Sequence, residues 1–292
     1  MRSLLRYGMY SWRLEILLEE SSISAGCGKG LLLSMNVLFI GDLVGPVAVA
    51  YLVGRLPALR REHNADLVVA NAENAAITAA TPWEGFGMTL SIVHALLDAG
   101  VDVITSGNHG WDGPEVQEVH KHPRVLRPYN LPESVPGKGL VHLDLQGEPV
   151  TVANLSSVRG VIEGARPVYE TWRTLDLRGT VIVDFHGDAA WEKMIFATAI
   201  DGQAAAVLGT HTHEPVHKLH ILPLGTALVT DVGMTGPTGS PGGFPLLHFA
   251  ARYRGEDDSA LPPFQLATGP VELGAVVLHI EQGKTRQIAR VW

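Results

Sequence analysis

Six polar residues in this chain have the types and setting to hold metal ions: Asp42, Glu73, Asn108, His186, His211 and His213. Two metal ions roughly 3.5 to 4 Å apart can polarise a phosphoryl group, acidify a water and steady the attacking and leaving oxygens of an in-line displacement. Such a pair needs a bridging carboxylate, for which Glu73 is the natural choice, and a further carboxylate on one ion, which Asp42 can supply. Asn108 offers a neutral carbonyl oxygen, which leaves net positive charge on the metals to attract a phosphodiester anion. The imidazoles of His186, His211 and His213 suit transition metals such as Zn or Fe. His211 and His213 are two apart, a spacing that in extended chain turns both rings to one side. His109, next to Asn108, is the candidate general acid for a leaving alkoxide, and Asp112 is close enough in sequence to orient it.

What positions these residues is a repeated order of short apolar run, loop and amphipathic segment. Val37-Leu38-Phe39-Ile40 ends at Gly41-Asp42, Leu67-Val68-Val69-Ala70 ends at Asn71, and Val101-Asp102-Val103-Ile104 leads into Ser106-Gly107-Asn108-His109. Val181-Ile182-Val183-Asp184-Phe185 ends at His186, and Ala205-Ala206-Val207-Leu208 ends at Gly209-Thr210-His211. Further strands are expected at 150–153 and 226–229, and helices over 49–59, 90–97 and 190–200. This order predicts an α/β layered sheet. Every candidate ligand falls just past the C-terminal end of a strand, the edge at which α/β sheets bind ligands.

Other conspicuous residues read as structural. Asp231 with Gly233 fits a turn better than a site. Trp83, Trp111 and Trp191 read as core or surface filler rather than as a wall for a base, and His120, His122, His217 and His220 as ordinary histidines. The Gly/Pro-rich stretch 233–245 is expected to be a mobile surface loop.

Composition narrows the function classes. The formal charge of −8 argues against a general grip on nucleic acid, which depends on Lys and Arg neutralising phosphates. With Cys27 the only cysteine, neither an internal disulfide nor a Cys-rich zinc site can form, which fits a cytoplasmic protein. No apolar run approaches the roughly 18 to 20 residues of a membrane-spanning helix, so no membrane partner is expected, whereas a homo-oligomer is compatible with the sequence. Residues 1–34 combine Arg2, Arg6 and Arg13 with Glu15, Glu19 and Glu20, which break any signal-like apolar core. They are read as an extension, either disordered or preceding a true start at Met35, with 35–292 forming a single catalytic domain.

Gly41-Asp42, Glu73-Asn74, Gly107-Asn108-His109, Asp184-Phe185-His186 and Gly209-Thr210-His211-Thr212-His213, in that order, resemble the calcineurin-like metallophosphoesterases, specifically their YmdB-like branch. Asp231-Val232-Gly233-Met234-Thr235-Gly236-Pro237 and Pro136-Gly137-Lys138-Gly139 also match that branch, so the resemblance runs from Met35 to Trp292. It implies a four-layer α/β/β/α sandwich with two divalent or mixed-valence transition metal ions, iron or manganese before zinc. By the same resemblance Asp42, Glu73, Asn74 and His213 would surround one ion, Glu73, Asn108, His186 and His211 the other, and His109 would be the acid. The implied activity is hydrolysis of phosphodiesters, cyclic nucleotides and above all the 2′,3′-cyclic kind. Many calcineurin-like enzymes place a His two residues after the first Asp. This chain has Asp42-Leu43-Val44, so Asn74 takes that coordination position. After His186 the branch's usual Ala-Glu-Ala-Thr-Ser-Glu-Lys is replaced by Gly187-Asp188-Ala189-Ala190-Trp191-Glu192-Lys193, and the stretch after Asn74 lacks the usual glycine-rich continuation. Both departures bear on the substrate pocket more than on the metals.

A metallo-β-lactamase-like reading of His211, His213 and His217 leaves Asp42 and Asn108 unexplained, and amidohydrolase barrels carry their His-x-His on the first strand, where Asp42 stands here. Within the metal-centred reading, a regulatory metal-binding protein with little turnover and a phosphomonoesterase are the alternatives.

Overall fold

The first strand, β1 (Ser34–Ile40), has Val37, Leu38, Phe39 and Ile40 all fully buried, because both of its faces are covered. Leu38 and Ile40 join one apolar cluster, while Val37 and Phe39 join another on the opposite face. Burying side chains of this size contributes about 1.5 to 3 kcal/mol each, which makes a doubly covered strand a strong organiser of the layers around it. The computed structural model describes residues 34–77, 86–158, 162 and 164–292. The reading of residues 1–34 lies outside these, apart from Ser34, which already belongs to β1.

Two sheets form the frame. After β1 come α1 (Gly45–Glu62), β2 (Leu67–Asn71), α2 (Leu90–Ala99), β3 (Val103–Thr105), the short α3 (Val116–Val119), β4 (Leu140–Leu145) and β5 (Glu148–Ser156). Then follow α4 (Val168–Trp172), β6 (Thr180–His186), α5 (Ala190–Ala199), β7 (Ala206–Thr210), β8 (His220–Ile221) and β9 (Ala227–Val229). The chain closes with β10 (Gly236–Pro237), α6 (Leu247–Tyr253), β11 (Val271–Glu272), β12 (Ala275–Glu281) and β13 (Lys284–Val291). The first sheet has the order β13-β12-β1-β2-β3, with β1, β2 and β3 parallel. The second has the order β4-β5-β6-β7-β9-β8, with β5, β6, β7 and β9 parallel.

Their inner faces pack together through Val37, Phe39, Val69 and Leu278 on one side and Val152, Ile182, Leu208 and Val229 on the other. Leu52 and Leu56 of α1 and Val93 and Leu96 of α2 cover the outer face of the first sheet. Trp172 of α4 and Phe196 of α5 cover that of the second. The result is the four-layer α/β/β/α sandwich. Among the described residues no helix is long and apolar enough to cross a membrane.

Two expectations change. The hairpin β12–β13 was not singled out from sequence, although Gln282-Gly283, both at positive φ, is a turn signal between the apolar-rich β12 and the mostly polar β13. The stretch 233–245 is not a surface loop throughout: residues 232–237 are buried, and Gly236-Pro237 pairs with β11. A Cβ on Gly41 would lie 1.8 Å from Gly233 O, so the two backbones touch only because Gly41 has none. Thr235 N donates to Asp42 O at 2.8 Å, which ties this segment to the first candidate ligand.

Candidate metal centre

Each strand end delivers one polar group to a common point. Asp42, fully buried beyond β1, accepts a hydrogen bond at Oδ2 from His211 N (3.0 Å). Glu73 and Asn74 stand in the turn after β2, where Glu73 N donates to Asn71 Oδ1 (3.1 Å) and Ala75 N to Ala72 O (3.1 Å). Glu73 Oε2 accepts from His109 N at 3.0 Å and its Oε1 from Asn74 Nδ2 at 3.2 Å. Asn108 and His109 begin a single 3₁₀ turn, Asn108–Trp111, after Gly107. A Cβ on Gly107 would come within 2.1 Å of His186 Nε2 and 2.4 Å of Glu73 Oε2, so a side chain there would occupy the centre itself.

From the second sheet, His186 ends β6 with Nδ1 2.9 Å from Thr210 Oγ1. Its Nε2 lies 2.9 Å from Asn108 Oδ1, 3.0 Å from His211 Nδ1 and 3.2 Å from Glu73 Oε1. His211 and His213 follow β7 with φ of 103° and 63°, left-handed backbone that turns both rings inward. His213 Nε2 is 3.1 Å from Asn74 Nδ2, and its Nδ1 is 3.0 Å from Gly242 O. All seven predicted ligands therefore lie in one buried or half-buried cluster linked by these contacts.

The donor set fits cations. His186 Nε2 can carry one hydrogen, yet it faces a carboxamide oxygen, a carboxylate oxygen and a second imidazole nitrogen. One ligand atom each from Glu73, His186 and His211 lie within 4.8 Å of one another. Among the described residues Asp42 Oδ1 and Asn74 Oδ1 are buried with no hydrogen-bond partner, an arrangement that costs free energy unless a cation satisfies them. Protein electrostatics alone answer this crowding with a proton. Burial depresses the His186 ring, but the charge and hydrogen bond of Glu73, with Asp42 and Asp184, more than offset it and hold His186 at about 9. Burial raises Glu73, yet His186, His109 and His211 pull it well below the usual carboxylate range. Burial pushes Asp42 up to about 6, and burial with the neighbouring His186 pushes His211 down to about 4. The centre thus asks for positive charge at His186, and a metal ion would supply it to a neutral ring.

Sequence reasoning passed over the groups that hold the ligands. Asp184 lies between the sheets, accepting from Thr105 Oγ1 (2.5 Å), Thr210 Oγ1 (2.7 Å) and Asn71 Nδ2 (3.0 Å), and Thr210 in turn meets His186. Its signal was a charge inside an apolar strand. Lys193 Nζ, almost wholly buried, donates to Thr210 O and Thr230 O (both 2.8 Å) and sits 3.6 Å from Asp231 Oδ2. Asp231 makes the expected turn through Gly233 N (2.8 Å), and its other oxygen accepts from Thr212 N (3.0 Å) between the two histidines. It is therefore more than a turn residue.

His109 Nδ1 is 2.8 Å from Asp112 Oδ2, and its ring stacks on Phe86 with centroids 4.1 Å apart. Both line a cavity of about 450 Å³ that opens on Glu73, Asn74, His211 and His213, with Phe244, Leu246 and Phe249 completing an apolar wall. Phenylalanines thus supply the aromatic surface. Trp111 stacks on His120, Trp191 is exposed, and Trp83 lies outside the described residues. His120 is buried with Nε2 2.6 Å from Gly110 O, so it supports the turn that carries His109.

The chain as a whole is similar to known proteins. The model of the YmdB-like protein family matches residues 38–291. A Bacillus subtilis (strain 168) protein named 2′,3′-cyclic-nucleotide 2′-phosphodiesterase is 34% identical over 263 residues, covering 88% of this chain and 95% of its own. A Mycoplasma pneumoniae crystal structure described as a novel phosphatase superposes with a TM-score of 0.80 at 27% identity, covering 89% of this chain and 94% of that one. A Thermus thermophilus crystal structure described as a hypothetical protein gives a TM-score of 0.76 at 35% identity, covering 88% and 98%.

Proposed function

The chain belongs to the YmdB-like protein family and is a phosphoric ester hydrolase, and we propose that it cleaves phosphodiesters of cyclic nucleotides, the 2′,3′-cyclic kind foremost. The observation that carries this reading is the meeting of Glu73, Asn108, His186 and His211 at one point, beside an aromatic cavity that also holds His109. The substrate class is supported by the B. subtilis relative, which aligns with nearly all of this chain.

In this reading Asp42, Glu73, Asn74 and His213 hold one transition metal ion and Glu73, Asn108, His186 and His211 the other, with iron or manganese ahead of zinc. The ions, when bound, supply positive charge to the phosphoryl oxygens and acidify a water. The chain's own groups do the rest. Asp112 engages His109 Nδ1 and Phe86 fixes the ring plane, so Nε2 is the nitrogen left to hand a proton to the departing oxygen. Phe244 and Phe249 give a base an apolar face and keep water from the leaving group. A cytoplasmic setting fits the single Cys27.

The test is turnover of bis-p-nitrophenyl phosphate after loading with manganese or iron, with His109→Ala as the control. A panel of 2′,3′-cyclic nucleotides, 3′,5′-cyclic nucleotides and phosphomonoesters then ranks substrates. Two bound metal equivalents without phosphodiester cleavage would overturn the enzymatic reading, and preference for monoesters would overturn the substrate class.

A further inference from the structure

A second cavity, of about 240 Å³, lies away from the metal centre and shares no lining residue with it. It is bounded by Arg127, Tyr129, Glu133, Gly137, Lys138 and Arg166. Among the described residues three cations against one carboxylate leave it net positive. The Pro136-Gly137-Lys138-Gly139 stretch, whose role the hydrolytic reading leaves open, forms one side of it.

Arg127 is the telling residue. Among the described residues its side chain is held by main-chain carbonyls alone: Nη1 donates to Pro128 O (2.7 Å) and Tyr129 O (3.3 Å), and Nη2 to Val135 O (3.4 Å). Its Nε is buried with no partner, and only 7% of the residue is exposed. Among the described residues no carboxylate comes within 4.0 Å of Arg127, Lys138 or Arg166; Arg290, likewise held by main-chain carbonyls, also has none, but no further cations crowd it as Lys138 and Arg166 crowd Arg127. Burial of the guanidinium is costly and Arg166 adds repulsion, which the charge of Glu133 and the Tyr129 side chain offset only in part. An arginine serving only to tie down its own loop would not need two further cations beside it. Lys138 and Arg166 are exposed at the rim, where they can close on a ligand, with Tyr129 offering a hydroxyl.

We propose that this cavity binds the phosphate group of a small molecule, with Arg127 at its floor and Lys138 and Arg166 at its mouth. A dianionic tetrahedral oxyanion matches the charge, and a cavity of about 240 Å³ has room for one phosphoryl group with its remaining hydration. Inorganic phosphate and the terminal phosphate of a nucleoside 3′-monophosphate share this chemistry.

The test uses the metal-loaded enzyme. Calorimetric titration with inorganic phosphate should show two binding events, one at the metal centre and one here. In Lys138→Gln/Arg166→Gln, two exposed positions chosen to spare the fold, the second event should weaken by about tenfold or more for lost charge-assisted bonds, with bis-p-nitrophenyl phosphate turnover unchanged. Crystals soaked in tungstate should show the anion between Arg127, Lys138 and Arg166. Competition by a nucleoside 3′-monophosphate would identify a bound phosphomonoester, and its failure a free-phosphate site, and either result upholds the proposal. Tungstate confined to the metal centre, or a binding isotherm unaltered by the double substitution, would overturn it whether or not the enzyme cleaves diesters.

Discussion

The two sheets bring different chemistry to their shared edge. The first, through the ends of β1, β2 and β3, offers oxygen: Asp42, Glu73, Asn74 and Asn108. The second, through β6 and β7, offers nitrogen: His186, His211 and His213. Neither set alone resembles a two-metal site. The oxygen side by itself would suit hard cations, and the nitrogen side lacks a bridging carboxylate. In the proposed two-metal reading, the mixed donor set therefore depends on the register between sheets, which the inner core and the Asp184 bridge to Thr105, Asn71 and Thr210 hold fixed.

This division can be broken at its seam. Gly107→Ala places a methyl between His186 and Glu73, the point where nitrogen and oxygen meet. Metal content should fall with activity, by about a thousandfold or more, since both depend on that contact; retention of two equivalents by metal analysis would show that the sheets can shift to make room. Next in size, His109→Ala should lower kcat by about a hundredfold to ten-thousandfold with metal content intact. This separates the acid from the ligands that surround it. Asp112→Asn keeps the shape but loses the carboxylate on His109, and a drop of about tenfold with an altered pH–rate profile is expected, in the lower range for groups that orient a functional histidine. An unchanged pH profile would make Asp112 a merely structural partner. Smallest in its effect on catalysis is Lys193→Met on the nitrogen side. It leaves Asp231 and two carbonyls without their cation and should cost about 3 kcal/mol of stability in a thermal or urea melt, while turnover at low temperature stays near that of the unaltered protein.

Much of the oxygen and nitrogen sets was legible because Asp42, Glu73, Asn108, His186, His211 and His213 stand at or shortly after the end of an apolar run, which is also the end of a strand, whereas Asn74 came only from the family resemblance. The layered α/β order was legible for the same reason. What could not be read was contact across the sheets. Nothing in the spacing of Asp184, Thr105 and Thr210 says that they meet, because their partners lie on different strands and the pairing is decided by packing. Phe244 was hidden by its setting in a Gly/Pro-rich stretch, a composition that normally marks exposed chain, yet here Gly243 approaches Met234 and Val44 closely; Phe249 follows in α6. The hairpin β12–β13 was missed because its Gln282-Gly283 turn is a weaker signal than Asn-Gly.

His211 and His213 occupy backbone conformations that glycine adopts freely and other residues reach at a cost of about 1 kcal/mol or more each. A chain selected only to stay folded would place glycine at both positions. If the two imidazoles hold metal as proposed, part of the folding stability is traded for the ability to grip ions, and a search for hardier variants that put glycine at these positions would lose activity in doing so.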